Sequence, residues 1–189
     1  LTDLNYDVYV QLLKGSDFGV PQNRERVFFV CFKKHLNVKT FKLTKPNFNL
    51  YSVKDILEEN PDLSKVRIDR DDIVIDRETS KDLLGNFPNK PIRIGTMNKG
   101  GQGERIYSID GTGITLSAFG GGPAKKTGGY LVDGIVRKLT VRECARMMGF
   151  PDYFKICDNS NQAYTQFGNA VIINIVQFII KDLIDKKIV

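Results

Sequence analysis

Residues 99–130 constrain the fold of this chain most, because they contain glycine at a density that regular helices and strands do not tolerate. Glycine-rich segments lie on both sides of residues 105–118, whose pattern predicts a short β-hairpin. Glycine lets the backbone approach a ligand closely, and the neighbouring Arg105, Lys125 and Lys126 favour an anionic one. This stretch alone leaves two interpretations open: a pair of plain surface loops, or a pair of loops that bind an anion.

The composition limits the classes of protein that remain. The chain has 189 residues, a formal charge of +6 and a pI of about 9.2, which is compatible with a nucleic-acid partner. Cys31, Cys144 and Cys157 lack paired spacing, so we expect no disulfide framework and a reducing, cytoplasmic location. The single histidine, His35, predicts no metal site, and no apolar run is long enough to predict a membrane span. The chain begins at leucine, which indicates a fragment or a processed subunit.

The beginning of the chain predicts two strands. Residues 6–12 place apolar side chains at nearly every second position, which is the strand period. Residues 27–32 are a continuous apolar run, which predicts a strand buried on both faces. Just before this run, Gln22, Arg24 and Arg26 alternate, so an extended backbone places their donors on one side, at the mouth of the strand. The alternative is a solvated polar end of the strand.

The middle of the chain predicts a short helix, a boundary and a small β unit. Ser52 is placed to cap a helix over residues 52–58, with Asp55 at the third helical position. Dense charge with repeated proline and asparagine in residues 62–90 predicts a domain boundary and a solvated face. Short strand patterns separated by turn residues then cover 92–96, 105–109, 114–118 and 130–132.

Residues 140–149 form the best-defined helix of the sequence. Thr140 and Glu143 have the spacing of a capping box, and Gly149 is placed to end the helix. The pattern resembles the first half of a helix-turn-helix, but the polar residues 158–162 follow at too short a distance to form a recognition helix.

The last segment predicts an apolar helix. Gly168 and Asn169 break the chain before it, and Asn169 is placed to cap it. Apolar side chains recur at helical spacing, at Ile172, Ile175, Val176, Ile179 and Leu183. This helix is too apolar to stand alone, so we expect it to pack on another core.

Four stretches together resemble the C-terminal part of the DNA cytosine-5 methyltransferases, and they occur in the order of that family: residues 22–26, 115–116, 137–152 and 168–171. The resemblance implies an α/β fold, the C-terminal portion of a doubly wound, S-adenosylmethionine-dependent methyltransferase sheet with a small, mostly β target-recognition domain. The implied division is 1–57 for the last strands of the catalytic domain, 58–140 for target recognition, and 141–189 for the hinge and a helix that returns to the catalytic domain.

The resemblance also implies roles for individual residues. The family transfers a methyl group from S-adenosylmethionine to C5 of a cytosine that is flipped out of the duplex. Arg26 matches the arginine that donates to cytosine O2, with Arg24 in support. The implied contacts to double-stranded DNA are Gln102, Arg105, Thr115, Ser117, Gly121 and Gly122. The implied contacts to the cofactor are Asn169, Ala170, Val171 and Phe150.

The chain departs from the family in the parts that carry the chemistry. It has no Pro-Cys nucleophile, no Phe-x-Gly-x-Gly cofactor loop and no Glu-Asn-Val motif. We therefore expect that an N-terminal catalytic part with most of the cofactor pocket lies on other polypeptide, and that this chain alone does not methylate DNA. Two alternatives remain: a non-catalytic DNA-binding module that uses the helix starting at Thr140, and an interaction domain without a nucleic-acid role.

Overall fold

The computed structural model describes residues 2–44, 46–76 and 89–188, so part of the charged stretch predicted as a boundary lies outside the described residues. The chain begins with an antiparallel pair of strands, β1 (Tyr6–Lys14) and β2 (Glu25–Lys33). Val10 lies opposite Phe29 and Leu12 opposite Val27. Directly opposed residues share a face, so β1 and β2 align their apolar positions.

One face of this pair is exposed, contrary to the prediction that residues 27–32 are buried on both faces. Val10, Leu12, Val27 and Phe29 are 52–64% exposed. The opposite face is covered, since Phe32 packs edge-on against Phe41 with ring centroids 5.3 Å apart. The prediction was wrong for this structure because no described element covers the outer face of the pair. We name this outer face, formed by Val10, Leu12, Val27 and Phe29, the apolar strand face.

A five-stranded sheet occupies the middle of the chain. Its spatial order equals its chain order, and only β5 and β6 are parallel. The strands are β3 (Val74–Ile75), β4 (Arg93–Thr96), β5 (Arg105–Ser108), β6 (Gly129–Val132) and β7 (Ile135–Arg137). A core of buried apolar side chains packs within it, formed by Ile68, Ile92, Ile94, Met97, Ile106, Ala124 and Val136.

The predicted hairpin over residues 105–118 is wrong. Strand β5 pairs with β4 and β6 instead, and residues 114–118 form an extended loop. The amide of Ile114 donates to the buried Tyr130 hydroxyl, and the amide of Ser117 donates to the Lys126 carbonyl. The amides of Ile114 and Ser117 are therefore not available for hydrogen bonds between two strands of a hairpin.

Short local motifs agree with the sequence more closely. Ser52 and Asp55 form a capping box around a 3-10 turn over Val53–Ile56, shorter than the predicted helix. Helix α1 (Leu63–Val66) is a single turn, and α2 (Val141–Met147) begins at Thr140 with the predicted capping box. Gly149 has a φ of 83° and ends the turn after α2, as expected for a left-handed cap.

Two helices at the end of the chain correct the sequence analysis. The polar residues after Asp158 begin α3 (Ser160–Asn169), where the Asn159 side chain accepts from the Gln162 amide. Asn169 is therefore the last residue of α3, and α4 (Ile173–Asp185) begins without a side-chain cap. The pattern concealed α3 because its exposed face is polar and its buried side chains, such as Ala163 and Phe167, are few.

The stretch from Ser160 to Asp185 is long and apolar enough to pass as a membrane span by length and composition. It consists of two helices with a break between them, and Ala163, Phe167, Ile172 and Ile175 are buried in the same core as α2. Packing within the protein covers only part of this stretch, because Val176, Ile180 and Ile184 of α4 are 39–56% exposed.

A buried ion pair joins the five-stranded sheet to α2. Arg137, the last residue of β7, donates from both terminal nitrogens to the two Glu143 oxygens at 2.8 Å, and both side chains are at most 2% exposed. Glu143 also accepts from the amides of Glu58 and Thr140. The two parallel hydrogen bonds fix the orientation of Arg137 relative to Glu143, and the two amides satisfy the other lone pairs of the carboxylate. The pair therefore fixes the angle between β7 and α2.

We expect Arg137→Met to lower the free energy of unfolding by about 3–5 kcal/mol, because it leaves the Glu143 carboxylate buried without its counter-ion. Denaturant unfolding measures this change. Arg70→Met is the matched control, since it breaks the exposed pair with Asp72 and should leave the midpoint unchanged. Equal midpoints for both variants would contradict the role assigned to Arg137.

Candidate nucleic-acid interface

The two glycine-rich loops touch each other. A Cβ added at Gly103 would lie 1.8 Å from the Gly121 carbonyl oxygen, and the Ala124 amide donates to the Gly103 carbonyl at 2.9 Å. Only glycine at position 103 permits this approach, so the loops form one surface. A Cβ at Gly121 itself would meet nothing within 4 Å, which leaves that position open to a ligand.

A small cleft of about 30 Å³ lies between these loops, and we name it the recognition cleft. Four residues predicted to contact DNA line it, namely Gln102, Thr115, Ser117 and Gly121, together with the two basic residues Lys125 and Lys126. The Gln102 side chain is exposed, whereas the Ser117 hydroxyl donates to the Phe119 carbonyl. The structure thus brings together residues that the sequence separates by up to 19 positions.

Arg105 and Gly122 lie beside the recognition cleft rather than in its lining. Arg105 begins β5 and is exposed, with Nε donating to the Gly100 carbonyl at 3.3 Å. Its two terminal nitrogens have no partner among the described residues, so the fork is free to bind a planar pair of acceptors. Gly122 has a φ of 83°, which favours glycine there.

A second cleft of about 390 Å³ gathers residues from the two ends of the chain, and we name it the arginine cleft. Arg24 and Arg26 line it with Asn169, Ala170 and Val171. Its other walls are apolar, formed by Val27, Phe28, Phe29, Ile172 and Ile175. Arg26 is exposed there, with Nη1 donating to the neighbouring Glu25 carbonyl.

Phe150 does not line the arginine cleft. Its ring packs against Phe154 and Phe167, with centroids 4.5 and 5.3 Å apart. The structure therefore places it in the core beside α3 rather than with Asn169.

Arg24 is buried and connects three segments. One terminal nitrogen donates to the Leu116 carbonyl at 3.0 Å and the other to the Gly168 carbonyl at 3.1 Å. Burial, and then the nearby Arg26, lower the pKa of Arg24. With its terminal nitrogens occupied, Arg24 positions other groups, and Arg26 alone of the two presents an exposed guanidinium.

Other contacts that the sequence did not reveal tie the same segments together. Gln22 is fully buried and donates to the Met147 carbonyl, while the Thr115 hydroxyl donates to the Asn23 carbonyl at 2.6 Å. A Cβ at Gly168 would lie 2.3 Å from the Ser117 carbonyl carbon, so α3 closes directly on the recognition loop. The alternation of Gln22, Arg24 and Arg26 indicated a site. It did not indicate that Gln22 and Arg24 are buried and make contacts within the fold.

No cysteine is placed to act as a nucleophile. Burial raises the pKa of the Cys144 thiol well above its usual value. Cys157 donates to backbone and amide oxygens, and Cys31 lies within β2. Within residues 2–44, 46–76 and 89–188, no group of three or more potential ligands could hold a metal ion.

The fold defines the class of protein. The structure resembles the Dnmt2 methyltransferase of Schizosaccharomyces pombe with a TM-score of 0.64 at 18% identity, covering 98% of this chain and 58% of that one. It resembles the methyltransferase EhMeth of Entamoeba histolytica with a TM-score of 0.65 at 16% identity, covering 98% of this chain and 56% of that one. At this identity the likeness establishes the methyltransferase fold.

The sequence identifies the family. Residues 1–185 match the C-5 cytosine-specific DNA methylases, and the chain belongs to that family. It is 47% identical over 180 residues to the type II methyltransferase M.HhaI of Haemophilus parahaemolyticus, covering 95% of this chain and 54% of that protein. It is 32% identical over 190 residues to M.SsoII of Shigella sonnei, covering 97% and 46%. The chain thus spans about half the length of the curated relatives it matches.

We expect Gly103→Ala to separate the two loops, since its Cβ cannot lie 1.8 Å from a carbonyl oxygen. The thermal midpoint should fall by at least about 2–4 °C, the change that 1 kcal/mol produces in a domain of this size. Gly121→Ala is the matched control, because space is open there and the midpoint should not change. A Gly103→Ala protein as stable as the control would show that the loops do not need this close approach.

Proposed function

We propose that this chain is the C-terminal half of a DNA cytosine-5 methyltransferase, which recognises a short duplex site and holds the flipped cytosine. One observation carries the proposal: Arg24 and Thr115 join the recognition cleft to the arginine cleft. The recognition cleft, which is proposed to select the base pair, is thereby held at a fixed position relative to the exposed Arg26. Base-flipping enzymes need this coupling between choosing a site and holding the extruded base.

Arg26 is proposed to bind the extruded cytosine. Its guanidinium lines a concave site whose other walls are largely apolar, and a charged donor to O2 gains strength where water is excluded. Arg24 is proposed to position Arg26, because its own hydrogen bonds fix the backbone that leads into β2. The nucleophilic cysteine and the glutamate that stabilises protonated N3 are proposed to lie on the N-terminal half.

The arginine cleft also suits one end of an S-adenosylmethionine site. The cofactor supplies the methyl group when it is bound. Apolar walls at Val171 and Ile172 suit an adenine ring, and the exposed Asn169 side chain offers both a donor and an acceptor. Arg26 would repel a sulfonium, so Asn169 and its neighbours would hold the cofactor rather than Arg26. We propose that Asn169, Ala170 and Val171 close the pocket and that Phe150 only supports α3.

Target selection is proposed to reside in residues 58–140, with 1–57 and 141–189 belonging to the catalytic domain. Arg105 presents a free fork that matches the two acceptors on a guanine edge. Gln102 is exposed at the recognition cleft and is proposed to fill the space that the cytosine leaves. The open space at Gly121 lets the loop approach the duplex, whereas Gly122 packs against the Gly103 carbonyl and supports the loop.

The alternative DNA-binding module is less well supported. Helix α2 has only seven residues, and Cys144, Ala145 and Met147 are buried. Arg146 donates to Asp152 and to the carbonyls of residues 56 and 57, so its guanidinium is used in contacts within the protein. A recognition helix needs a free face, and α2 contributes most of its surface to the core.

The N-terminal half is proposed to cover the apolar strand face. Val10, Leu12, Val27 and Phe29 are apolar, exposed and contiguous across two paired strands. Exposed patches of this kind mark interaction sites. We propose a cytoplasmic location for the assembled enzyme, in keeping with its DNA substrate and its free thiols.

We expect Arg105→Ala to reduce preference for the target site about 5- to 150-fold, because a bidentate contact to guanine is worth about 1–3 kcal/mol. Gln102→Ala should also weaken the preference. Binding to a pool of duplexes carrying all short sites measures both. Arg142→Ala should leave the preference intact; the reverse pattern would favour the module that uses α2.

We expect no methyl transfer from S-adenosylmethionine to duplex DNA by this chain alone, and transfer when the N-terminal half of M.HhaI is added. Phe29→Lys should prevent co-purification of the two halves, because it places a charge in the proposed contact. Tyr153→Lys is the control, since Tyr153 is 88% exposed and lies outside the apolar strand face. Methyl transfer by the chain alone would contradict the proposal that the nucleophilic cysteine lies on the N-terminal half.

A further inference from the structure

A large groove lies next to the recognition cleft and takes no part in the function proposed so far. It has a volume of about 720 Å³ and runs between α1, the loop before β6, α2 and the start of α3. Five basic residues line it, namely Lys65, Lys125, Lys126, Lys138 and Arg142. We name it the basic groove.

Two acidic residues, Glu58 and Asp62, also line the basic groove, against the five basic ones. Glu58 accepts from the Thr140 hydroxyl, and Asp62 accepts from Ser64 and pairs with Lys65 at 3.0 Å. The remaining cations therefore have no carboxylate partner in the groove. Their charge is available to an anion that arrives from outside.

Two of these cations have unused donors. The Arg142 Nη1 atom is buried without a hydrogen-bond partner, while its other terminal nitrogen donates to the Phe154 carbonyl. Lys138 Nζ has no hydrogen-bond acceptor among the described residues and lies 5.7 Å from the centre of the Tyr164 ring. Burial, and then the positive charge of Lys125, lower the pKa of Lys138. An anion in the groove would relieve this repulsion and give Lys138 Nζ an acceptor.

Lys125 and Lys126 connect the basic groove to the recognition cleft, because both residues line both sites. Lys126 is held by the Asn161 carbonyl, the Asn161 side chain and the Thr165 hydroxyl, all within 3.0 Å. The Lys126 side chain separates the two sites, and its contacts with α3 fix the loop before β6. Lys125 is exposed and has no described partner, so it can reach a ligand that passes from one site to the other.

We infer that the basic groove binds backbone phosphates of the duplex flanking the recognised site. This inference rests on the proposed function. A continuous polyanion explains why the lysines continue past the recognition cleft, whereas a small anion would need only one end of the groove. Phosphate contacts add affinity without sequence information, since every flank presents the same charges. Lys125, Lys138 and Arg142 are the residues assigned to the flank.

The test compares Lys138→Gln/Arg142→Gln with the wild-type chain by fluorescence anisotropy. A long duplex with flanks and a short duplex confined to the site are titrated over a range of salt concentrations. We expect the slope of log affinity against log salt on the long duplex to become shallower by about one for each phosphate that the protein no longer neutralises. Affinity should fall by the same factor for target and non-target sequences, and affinity for the short duplex should not change.

The controls separate charge from fold. Lys34→Gln/Lys39→Gln removes two exposed charges elsewhere and should leave the slope unchanged, and Lys138→Arg should retain it. Lys125→Gln alters an exposed side chain and should reduce the slope without affecting stability. An unchanged slope in both groove variants overturns the inference, as does an equal reduction in affinity of Lys138→Gln/Arg142→Gln for the short duplex or binding of inorganic phosphate alone. A wild-type chain that shows no site preference overturns the proposed function instead, whatever the groove variants do.

Discussion

The buried guanidinium of Arg24 is the contact on which the arrangement of the site depends. It bridges carbonyls of the recognition loop and of α3, while its own backbone leads into β2. Burying a charge without a carboxylate is costly, and Arg24 Nε has no partner, so the two carbonyl contacts must offset that cost. A lysine could not serve both carbonyls with the same planar fork. Arg24 thereby links the two clefts, together with the contacts of Gln22, Thr115 and Gly168.

A second constraint holds the small sheet against the rest of the fold. The pair between Arg137 and Glu143 ends β7 and begins α2, and Glu143 adds the amides of Glu58 and Thr140. Three segments therefore meet at one buried carboxylate. In the proposed function, this junction is the rigid base that loops binding a duplex require.

Among the described residues, two of the surfaces without a partner differ in chemistry. The apolar strand face presents Val10, Leu12, Val27 and Phe29, which favours another protein surface. The basic groove presents five cations and two carboxylates, and this excess of positive charge favours a polyanion. Protein assembly and binding of the flanking duplex are thus assigned to different surfaces, while Val27 and Phe29 also line the arginine cleft.

The sequence by itself determined the local motifs and the family, because capping boxes such as Thr140 with Glu143 and the glycines of the recognition loops act over a few residues. It predicted Arg26, Gln102 and Asn169 as site residues, and the structure places each at a cleft. Only the tertiary structure decided that Arg24 is buried, that residues 114–118 form no strand, and that one face of β2 is open. The Arg24 contacts join residues 92 and 144 positions apart, and the amides of Ile114 and Ser117 donate to groups 16 and 9 positions away; no local periodicity encodes such contacts.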